Sequence, residues 1–552
     1  MEFSFRNCFN WASLCIFSNL KIFKFNRLEN QIKRKMDFLE RIIPRDYQKK
    51  IFETCLNKNC LVVLPTGLGK TLIALMITIE RMKKFPGEKV VFLAPTKPLA
   101  EQHLNYFKKY LPELFADMQL FTGIINAEKR KKIWKTSDII FSTPQCIAND
   151  LKNNLYNLNE VCLLLEDEAH KCLKNYDYNY IAQQYKKQAE HQRIIGLTAS
   201  PGSEKSKIKE ICKNLSIEEV ELRTRDSEDV KKYLQELEFE KINLDFPLEF
   251  EKIREPLKKI FDDYVIELKS RKLLFGFASK TELINLQKKI SFSISRGKKS
   301  YNYLLGMSAC AQAIKLQHAL ELLETQTLKS FNEYLKNLIE QAKRNQSKGV
   351  IKLVSKPEFN FVFKKTKDML EKNIEHPKIE KLIEIIKKEK NKDTKAKLII
   401  FTQFRDTASL ISEKINGIGK IKSEIFVGQT LKKGIGLKQK EQKKIINEFS
   451  LGNIDVIVST SIGEEGLDIP EVNTVIFYEP VASAIRTIQR GGRTARLMQG
   501  KIIILITKKT RDETYFYVSK AKEKRMHSAI DSIKKDLENN ISLKDERQIK
   551  LR

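Results

Sequence analysis

Three scarcities bound what this chain can be. Cysteine is sparse: nine residues are scattered through 552, with no Cys-x-x-Cys, and the one close His/Cys pair, His170 and Cys172, lies inside an acidic motif discussed below. That spacing argues against a zinc or iron–sulfur site and reads as buried, reduced thiols in a cytoplasmic protein. Long apolar runs are also missing, none approaching the ~18 residues of a membrane span, so no membrane partner is expected. The aromatic-rich N-terminus, Phe3 to Phe25, is broken by Asn10, Ser13, Ser18, Asn19, Lys21 and Lys24. It lacks a basic n-region and a small-residue cleavage site, which argues against a signal peptide. Met36-Asp37-Phe38-Leu39 looks like a more ordinary start, so residues 1–35 are expected to be a peripheral extension. The third shortage is of acid: 70 Asp and Glu stand against 101 Lys and Arg, for a formal charge of +31. Such a field favours a polyanion, nucleic acid before an anionic membrane, although a composition rich in Lys, Ile and Asn raises the charge without any ligand.

What the chain does carry is a pair of motifs about a hundred residues apart. Leu64-Pro65-Thr66-Gly67-Leu68-Gly69-Lys70-Thr71 has the makings of a phosphate-binding loop. Such a loop needs glycines so that backbone N–H groups turn onto the phosphates, a lysine for the β/γ charge, and a hydroxyl for Mg²⁺. Gly67, Gly69, Lys70 and Thr71 fill those roles, with Thr66 and Leu68 between them; the strict pattern has glycine where this chain has Leu64. Cys60-Leu61-Val62-Val63-Leu64 suits a buried parallel strand and Leu72 to Met82 has helical character, so strand, loop and helix follow in the required order.

The second motif, Glu166-Asp167-Glu168-Ala169-His170, follows the apolar run Val161-Cys162-Leu163-Leu164-Leu165. Its carboxylates therefore leave the carboxyl end of a buried strand, where open α/β sheets bind ligands. Asp167 is expected to hold Mg²⁺, directly or through water, and Glu168 to orient and deprotonate the attacking water. His170 is expected to link the nucleotide to later elements. An ordinary acidic helix start explains acids before alanine, but not three of them directly after a buried run beside a phosphate loop. The pair predicts an ATP-driven motor.

Further strands end in small hydroxyl residues. Val90 to Ala94 leads to Pro95-Thr96-Lys97, Ile139-Ile140-Phe141 to Ser142-Thr143-Pro144, and Ile194 to Leu197 to Thr198-Ala199-Ser200-Pro201. After a long helical stretch, Leu398 to Phe401 leads to Thr402-Gln403-Phe404, Asp455 to Val458 to Ser459-Thr460-Ser461, and Thr474 to Phe477 to Tyr478-Glu479-Pro480. This alternation predicts a second parallel-sheet α/β domain. Hydroxyls at strand ends suit a sugar–phosphate backbone gripped without reading sequence, which makes Thr96, Thr143, Thr402 and Thr460 candidate nucleic-acid contacts; helix capping is their plainer use. The second domain has no phosphate loop but carries Gln489-Arg490-Gly491-Gly492-Arg493-Thr494-Ala495-Arg496. Arginines three apart project from one side of a helix, as a pair aimed at one γ-phosphate would require, and as an ordinary solvated basic helix also would.

Taken together, Arg45-Asp46-Tyr47-Gln48, the phosphate loop, Asp-Glu-Ala-His, Thr-Ala-Ser, the run Gly463 to Pro470 and the arginine motif resemble a superfamily-two DEAH-type helicase. Phe426-Val427-Gly428-Gln429, Gly463-Glu464-Glu465-Gly466-Leu467-Asp468 and Phe477-Tyr478-Glu479-Pro480 look most like the archaeal Hef helicases, relatives of the Fanconi anaemia M translocase. The resemblance covers about residues 40–530 and implies two tandem RecA-like domains with a helical insert between them. It implies that Gln48 reads the adenine edge, Arg45 lies against the base, Gly466 approaches the γ-phosphate and Asp468 reaches the ribose or the hydrolysis site. Gln489 would sit near the attacking water, and Arg493 and Arg496 would be arginine fingers. Gly491 and Ala495 stand where the family usually has arginine and glycine. Full-length Hef proteins continue into a nuclease domain; no Glu-Arg-Lys with paired acids occurs here before Arg552, so nuclease activity is not expected.

The expected order is an extension (1–35), an ATP-binding domain (36–225), a helical insert (226–375), a second helicase domain (376–510) and a charged helical tail (511–552). The insert has apolar residues at helical spacing, such as Ile314, Leu316, Leu320, Leu322 and Leu323, and from Lys269 to Ala319 it carries ten Lys or Arg and a single acid, Glu282. A solvated helix face is one account; a grip on branched DNA, as the resemblance implies, is the other. The expected activity is that of an ATP- and Mg²⁺-dependent DNA helicase or translocase on forked or branched DNA in repair, moving 3′ to 5′. An RNA-directed ATPase shares most of the motifs, because backbone contacts to DNA and RNA differ only through the 2′-OH. A non-hydrolysing scaffold is disfavoured by complete Lys70, Asp167, Glu168, Arg493 and Arg496. Protein partners are not written in the sequence.

Overall fold

The computed structural model describes residues 43–111, 115–234, 236–297, 300–428, 436–460, 470, 472–481 and 500–539. The chain divides into two compact units, Met1–Tyr233 with Met526–Arg552, and Leu234–Arg525.

The first unit is built on a parallel sheet of β1 (Cys60–Val63), β2 (Lys89–Leu93), β3 (Met118–Phe121), β4 (Ile139–Ser142), β5 (Val161–Asp167), β6 (Ile194–Thr198) and β7 (Glu219–Leu222), in the order β3-β4-β2-β5-β6-β1-β7. Every residue of β1, β2, β4, β5 and β6 is buried. Strands covered by helices on both faces need such unbroken apolar runs. Because all are parallel, the segments after β1, β2, β4, β5 and β6 open at one carboxyl edge. The phosphate loop, both acidic residues of interest, Thr96, Thr143 and Thr198 are thereby gathered there.

The second unit begins with β8 (Leu237–Leu244), continues through six helices from Leu248–Ser270 to Pro357–Glu371, and ends in a parallel sheet. Its strands are β9 (Leu398–Phe401), β10 (Ser423–Phe426), β11 (Val456–Ser459), β12 (Thr474–Phe477) and β13 (Gly500–Thr507), with order β10-β11-β9-β12-β13-β8. The two parallel-sheet domains with a helical region between them are thus present. Residues 226–375 are not helical throughout, however. Leu237–Leu244 pairs with β13, Leu237 opposite Gly500 and Leu244 opposite Thr507. As an edge strand it is only partly covered and keeps Glu238 and Glu240, which bind Lys501 at 3.0 and 2.6 Å, so it lacks the apolar run that marks a central strand.

Leu316, Leu320, Leu322 and Leu323 bury against Phe250, Leu257, Phe331 and Phe359 in the helical core. A polar seam then fastens these helices to the sheet domain of the same unit. Gln326 accepts from Thr407 Oγ1 at 2.9 Å, Glu324 pairs with Arg511 at 2.8 Å, and Glu321 accepts from the Tyr515 hydroxyl at 3.0 Å. Glu321 is 6 % exposed. Burial alone would raise its carboxyl, but His318, Lys280 and Tyr515 hold it at about 2 instead of 4.5. A depressed folded value means that the ionised group stabilises this unit above pH ~4.5 and that the contribution, roughly 3 kcal/mol, is lost as pH falls through about 2. Glu321→Gln should therefore lower the urea midpoint at pH 7 and lose less further stability between pH 5 and pH 2 than the wild type. Parallel acid limbs for the two proteins would contradict that assignment.

Candidate nucleotide site

Backbone geometry explains the glycines of the loop. Gly67 and Gly69 have φ of 89° and 87°, in the left-handed region that a side chain makes costly. A Cβ on Gly69 would also come 2.3 Å from Gln48 Nε2. Leu64, the departure from the strict pattern, has no such requirement. Its N–H pairs with the Thr198 carbonyl at 3.0 Å and its side chain is buried, so it extends strand pairing by one residue beyond β1. Lys70 Nζ donates to the Leu64 carbonyl at 2.8 Å, and Lys70 and Thr71 open the helix Lys70–Lys84 with Gly69 as its N-cap. Thr66 is half-buried, Gly67 is exposed and Leu68 is buried.

Gln48, 4 % exposed, is tied to the loop: Nε2 donates to the Leu68 carbonyl at 3.1 Å and Oε1 accepts from the Arg45 N–H at 2.9 Å. The Tyr47 hydroxyl donates to the same Leu68 carbonyl at 2.9 Å. The Arg45 guanidinium lies 5.3 Å above the Tyr233 ring. Neither tyrosine is singled out by sequence reasoning. Tyr47 stands beside Gln48 in the quoted motif, whereas nothing local marks Tyr233.

Glu166 and Asp167 end β5, and Glu168 follows with φ 52°, a left-handed conformation uncommon outside glycine and worth attention at a site. The Glu168 N–H donates to Asp167 Oδ1 at 2.9 Å. His103, on the buried face of the helix Lys97–Tyr110, places Nε2 2.8 Å from Asp167 Oδ2. Burial alone would raise the Asp167 carboxyl, but the His103 hydrogen bond and charge, with Lys70, hold it below its ordinary range. An ionised carboxylate only accepts, so His103 Nε2 donates. Glu166 is the opposite case: it is fully buried, and burial pushes its carboxyl well up against the smaller opposing effect of the neighbouring Cys172 thiol. His170 Nδ1 lies 3.1 Å from Thr198 Oγ1 and 3.2 Å from Glu168 Oε2. It therefore joins the acidic motif to Thr-Ala-Ser, where Thr198 Oγ1 donates to the Ser200 carbonyl at 3.1 Å. The Tyr178 hydroxyl donates to the Asp167 carbonyl at 2.6 Å. Sequence reasoning missed His103 and Tyr178; only their apolar helical surroundings could have flagged them as inward-facing.

A glycine-bearing turn at a helix N-terminus, a lysine and an ionised carboxylate suit a nucleotide with Mg²⁺. Among the described residues no cluster of three His, Cys, Asp or Glu could hold a metal, so an ion held by Thr71 and Asp167 would take its other ligands from phosphate and water, as Mg²⁺ commonly does. Gly466, Asp468, Gln489, Arg493 and Arg496 lie outside the described residues. Of the four threonines, Thr96 is exposed and Thr143 is half-buried, each as the N-cap residue of the next helix. The other two are enclosed. Thr402 is fully buried, its hydroxyl directed to Gln326 Oε1 at 3.5 Å, and Thr460 is 5 % exposed. The polar seam with the helical region covers the first, and neither can touch a ligand without local movement.

Family models match three successive parts of the chain: "DEAD/DEAH box helicase" over residues 45–208, "Putative ATP-dependent RNA helicase, helical bundle" over 248–376, and "Helicase conserved C-terminal domain" over 377–498. The chain is 42 % identical to the Hef helicase domain of Pyrococcus furiosus, whose crystal structure it matches with a TM-score of 0.66, covering 86 % of this chain and 98 % of that one. It is 40 % identical to "Putative ATP-dependent RNA helicase MJ1505" of Methanocaldococcus jannaschii, over 87 % of this chain and 60 % of that protein. With the Fanconi anemia group M protein homolog of Mus musculus it shares 32 % identity over 88 % of this chain, but it spans only 26 % of that protein. No described helix is long and apolar enough to cross a membrane.

Proposed function

The chain belongs to the superfamily-two helicases of the Hef and Fanconi anaemia M type, and from that premise we propose that it is an ATP-dependent DNA helicase or translocase. Its substrate in this reading is forked or branched DNA in replication-fork repair, and its movement is 3′ to 5′. The observation that carries the reading is the convergence at one sheet edge of Lys70, the ionised Asp167 and the Glu168–His170–Thr198 chain.

In this mechanism the N–H groups of residues 66–71 cradle the phosphates of ATP, Gln48 reads the adenine edge and Arg45 lies against the base. Thr71 and Asp167 would hold Mg²⁺, which would supply neutralisation of phosphate charge. Glu168 orients the water and takes its proton as the γ-phosphoryl bond to ADP breaks. His170 carries the consequence to Thr198 and Ser200. By the family resemblance, Gly466, Asp468, Gln489, Arg493 and Arg496 are further candidates for the hydrolysis reaction. Thr96, Thr143, Thr402 and Thr460 are the candidate contacts to the DNA backbone, of which Thr96 and Thr143 are the more accessible. The described cysteines are unpaired and buried, which fits a reducing cytoplasm.

ATPase rates with forked DNA, blunt duplex, single-stranded DNA and duplex RNA, compared at one salt concentration, test the reading. Forked DNA is expected to stimulate most. The name of the M. jannaschii relative favours a second reading, an RNA-directed ATPase, and stronger stimulation by duplex RNA would select it. His103 supplies a narrower prediction. As the hydrogen-bond partner of a metal-holding carboxylate, its replacement in His103→Ala should reduce Mg²⁺-dependent turnover about 10- to 100-fold, with His103→Gln, which can still donate, recovering part. Turnover equal to wild type in the alanine variant would show that Asp167 needs no such partner.

A further inference from the structure

The helix Leu248–Ser270 is joined to the helix Lys280–Ser295 by a loop in which apolar residues divide sharply between inside and outside. Leu274 belongs to the core formed with Val265, Leu283 and Cys310, and Leu273 and Ala278 pack against it. Leu273 also fills the space where a Cβ on Gly306 would otherwise stand, 2.1 Å from its Cδ1. Between these anchors Phe275 is 80 % exposed and Phe277 is 93 % exposed, separated by Gly276 at φ +95°. That conformation is readily available only to glycine. Two phenyl rings are thus held in water on a short loop whose neighbours on both sides are fixed in the core. Leaving so much aromatic surface in water has an energetic cost that no contact among the described residues offsets.

The surroundings specify what would cover them. Lys269 and Lys272 flank the loop, beside Arg271 and Lys280, which are paired with Glu267 and Glu321, and the same helical subdomain bears Lys288, Lys289 and Arg296 with Glu282 the single acid between Lys269 and Ala319. Arg296 also lies 4.2 Å from the centroid of Phe292, which is itself 56 % exposed. Exposed aromatic rings set in an excess of cations are the combination that holds unpaired nucleotides, the rings stacking on bases and the cations tracking phosphates. A fully paired duplex offers only the second of these contacts.

We propose that the Phe275-Gly276-Phe277 loop is a base-stacking site that takes unpaired nucleotides, and so distinguishes the branch of a nucleic-acid substrate from its duplex arms. The inference rests on the reading of this chain as a nucleic-acid motor. It adds a named element that reads the open bases.

The test uses the full chain and two labelled DNAs of equal length, a fork with unpaired arms carrying 2-aminopurine beside the branch and a blunt duplex. Phe275→Ala with Phe277→Ala removes only exposed rings, so the melting temperature should stay that of the wild type. The double variant is expected to bind the fork about 5- to 100-fold more weakly, the range for losing one stacked base, while its duplex affinity stays within about 2-fold. The wild type should quench 2-aminopurine and the variant should not. Phe275→Trp with Phe277→Trp should restore both signals. Equal loss on both DNAs, or unchanged fork binding and quenching in the folded variant, overturns the proposal and leaves the rings as a surface for a protein partner. Failure of the wild type to bind either DNA would instead strike the motor reading itself.

Discussion

Lys70→Ala is expected to cut steady-state ATP turnover by about 10³-fold while leaving the affinity for forked DNA nearly unchanged. Lys70 is the loop's only cation, its ammonium sits 2.8 Å from the Leu64 carbonyl within the cradle, and an ammonium placed where charge develops on a transferring phosphoryl group commonly contributes at this scale. The basic surface that would hold DNA lies elsewhere, so binding should survive. Glu168→Gln provides the contrast. It retains shape and cradle but loses the proton acceptor, so turnover should fall by about 10²- to 10⁴-fold while ATP still binds. Measuring nucleotide affinity and turnover for both variants separates the roles. Wild-type turnover in Lys70→Ala, or loss of nucleotide binding in Glu168→Gln, would sink the assignment of that residue.

The second large effect concerns stability. Lys378 and Asp512 are both fully buried and form an ion pair inside the second unit. Lys378 Nζ also donates to the Thr325 carbonyl at 3.1 Å and lies 5.2 Å over the Tyr478 ring, while Asp512 accepts from the Thr507 N–H at 3.0 Å. Burial already pushes the Asp512 carboxyl up against the pull of Lys378; Lys378→Met would leave that buried acid without its partner, and breaking such a pair from one side costs about 3–5 kcal/mol. Combining it with Asp512→Leu should recover much of the loss, because neither buried charge then lacks its partner. Urea midpoints of the single and double variants decide this. A single variant as stable as the wild type would mean that the pair contributes little.

The apolar runs of β1, β2, β4, β5, β6, β9, β11 and β12 are legible because each strand is buried throughout and must be continuously hydrophobic. The edge strands β3, β7, β8 and β10 are not, since Met118–Phe121, Glu219–Leu222, Leu237–Leu244 and Ser423–Phe426 are covered only in part and mix polar or charged with apolar residues. Gly500–Thr507 has the apolar signal but carries none of the quoted motifs, and a motif-led reading passes over it. At the nucleotide site, Gly67, Gly69, Lys70, Asp167 and His170 stand out because their chemistry is local to a motif. His103, Tyr178 and Tyr233 do not, for they reach their partners only through the folded sheet, 64, 11 and 187 residues away along the chain. Thr402 shows the reverse. Its strand-end position implies access, and only the helices packed over it reveal that its hydroxyl is occupied.

The most direct test of the account is the ATPase activity of the full chain with Mg²⁺, measured without nucleic acid, with forked DNA and with duplex RNA of matched length, alongside Glu168→Gln. The account predicts low basal turnover, strong stimulation by the fork, weaker stimulation by RNA and none in Glu168→Gln. Turnover indifferent to nucleic acid, or undiminished by Glu168→Gln, would contradict it.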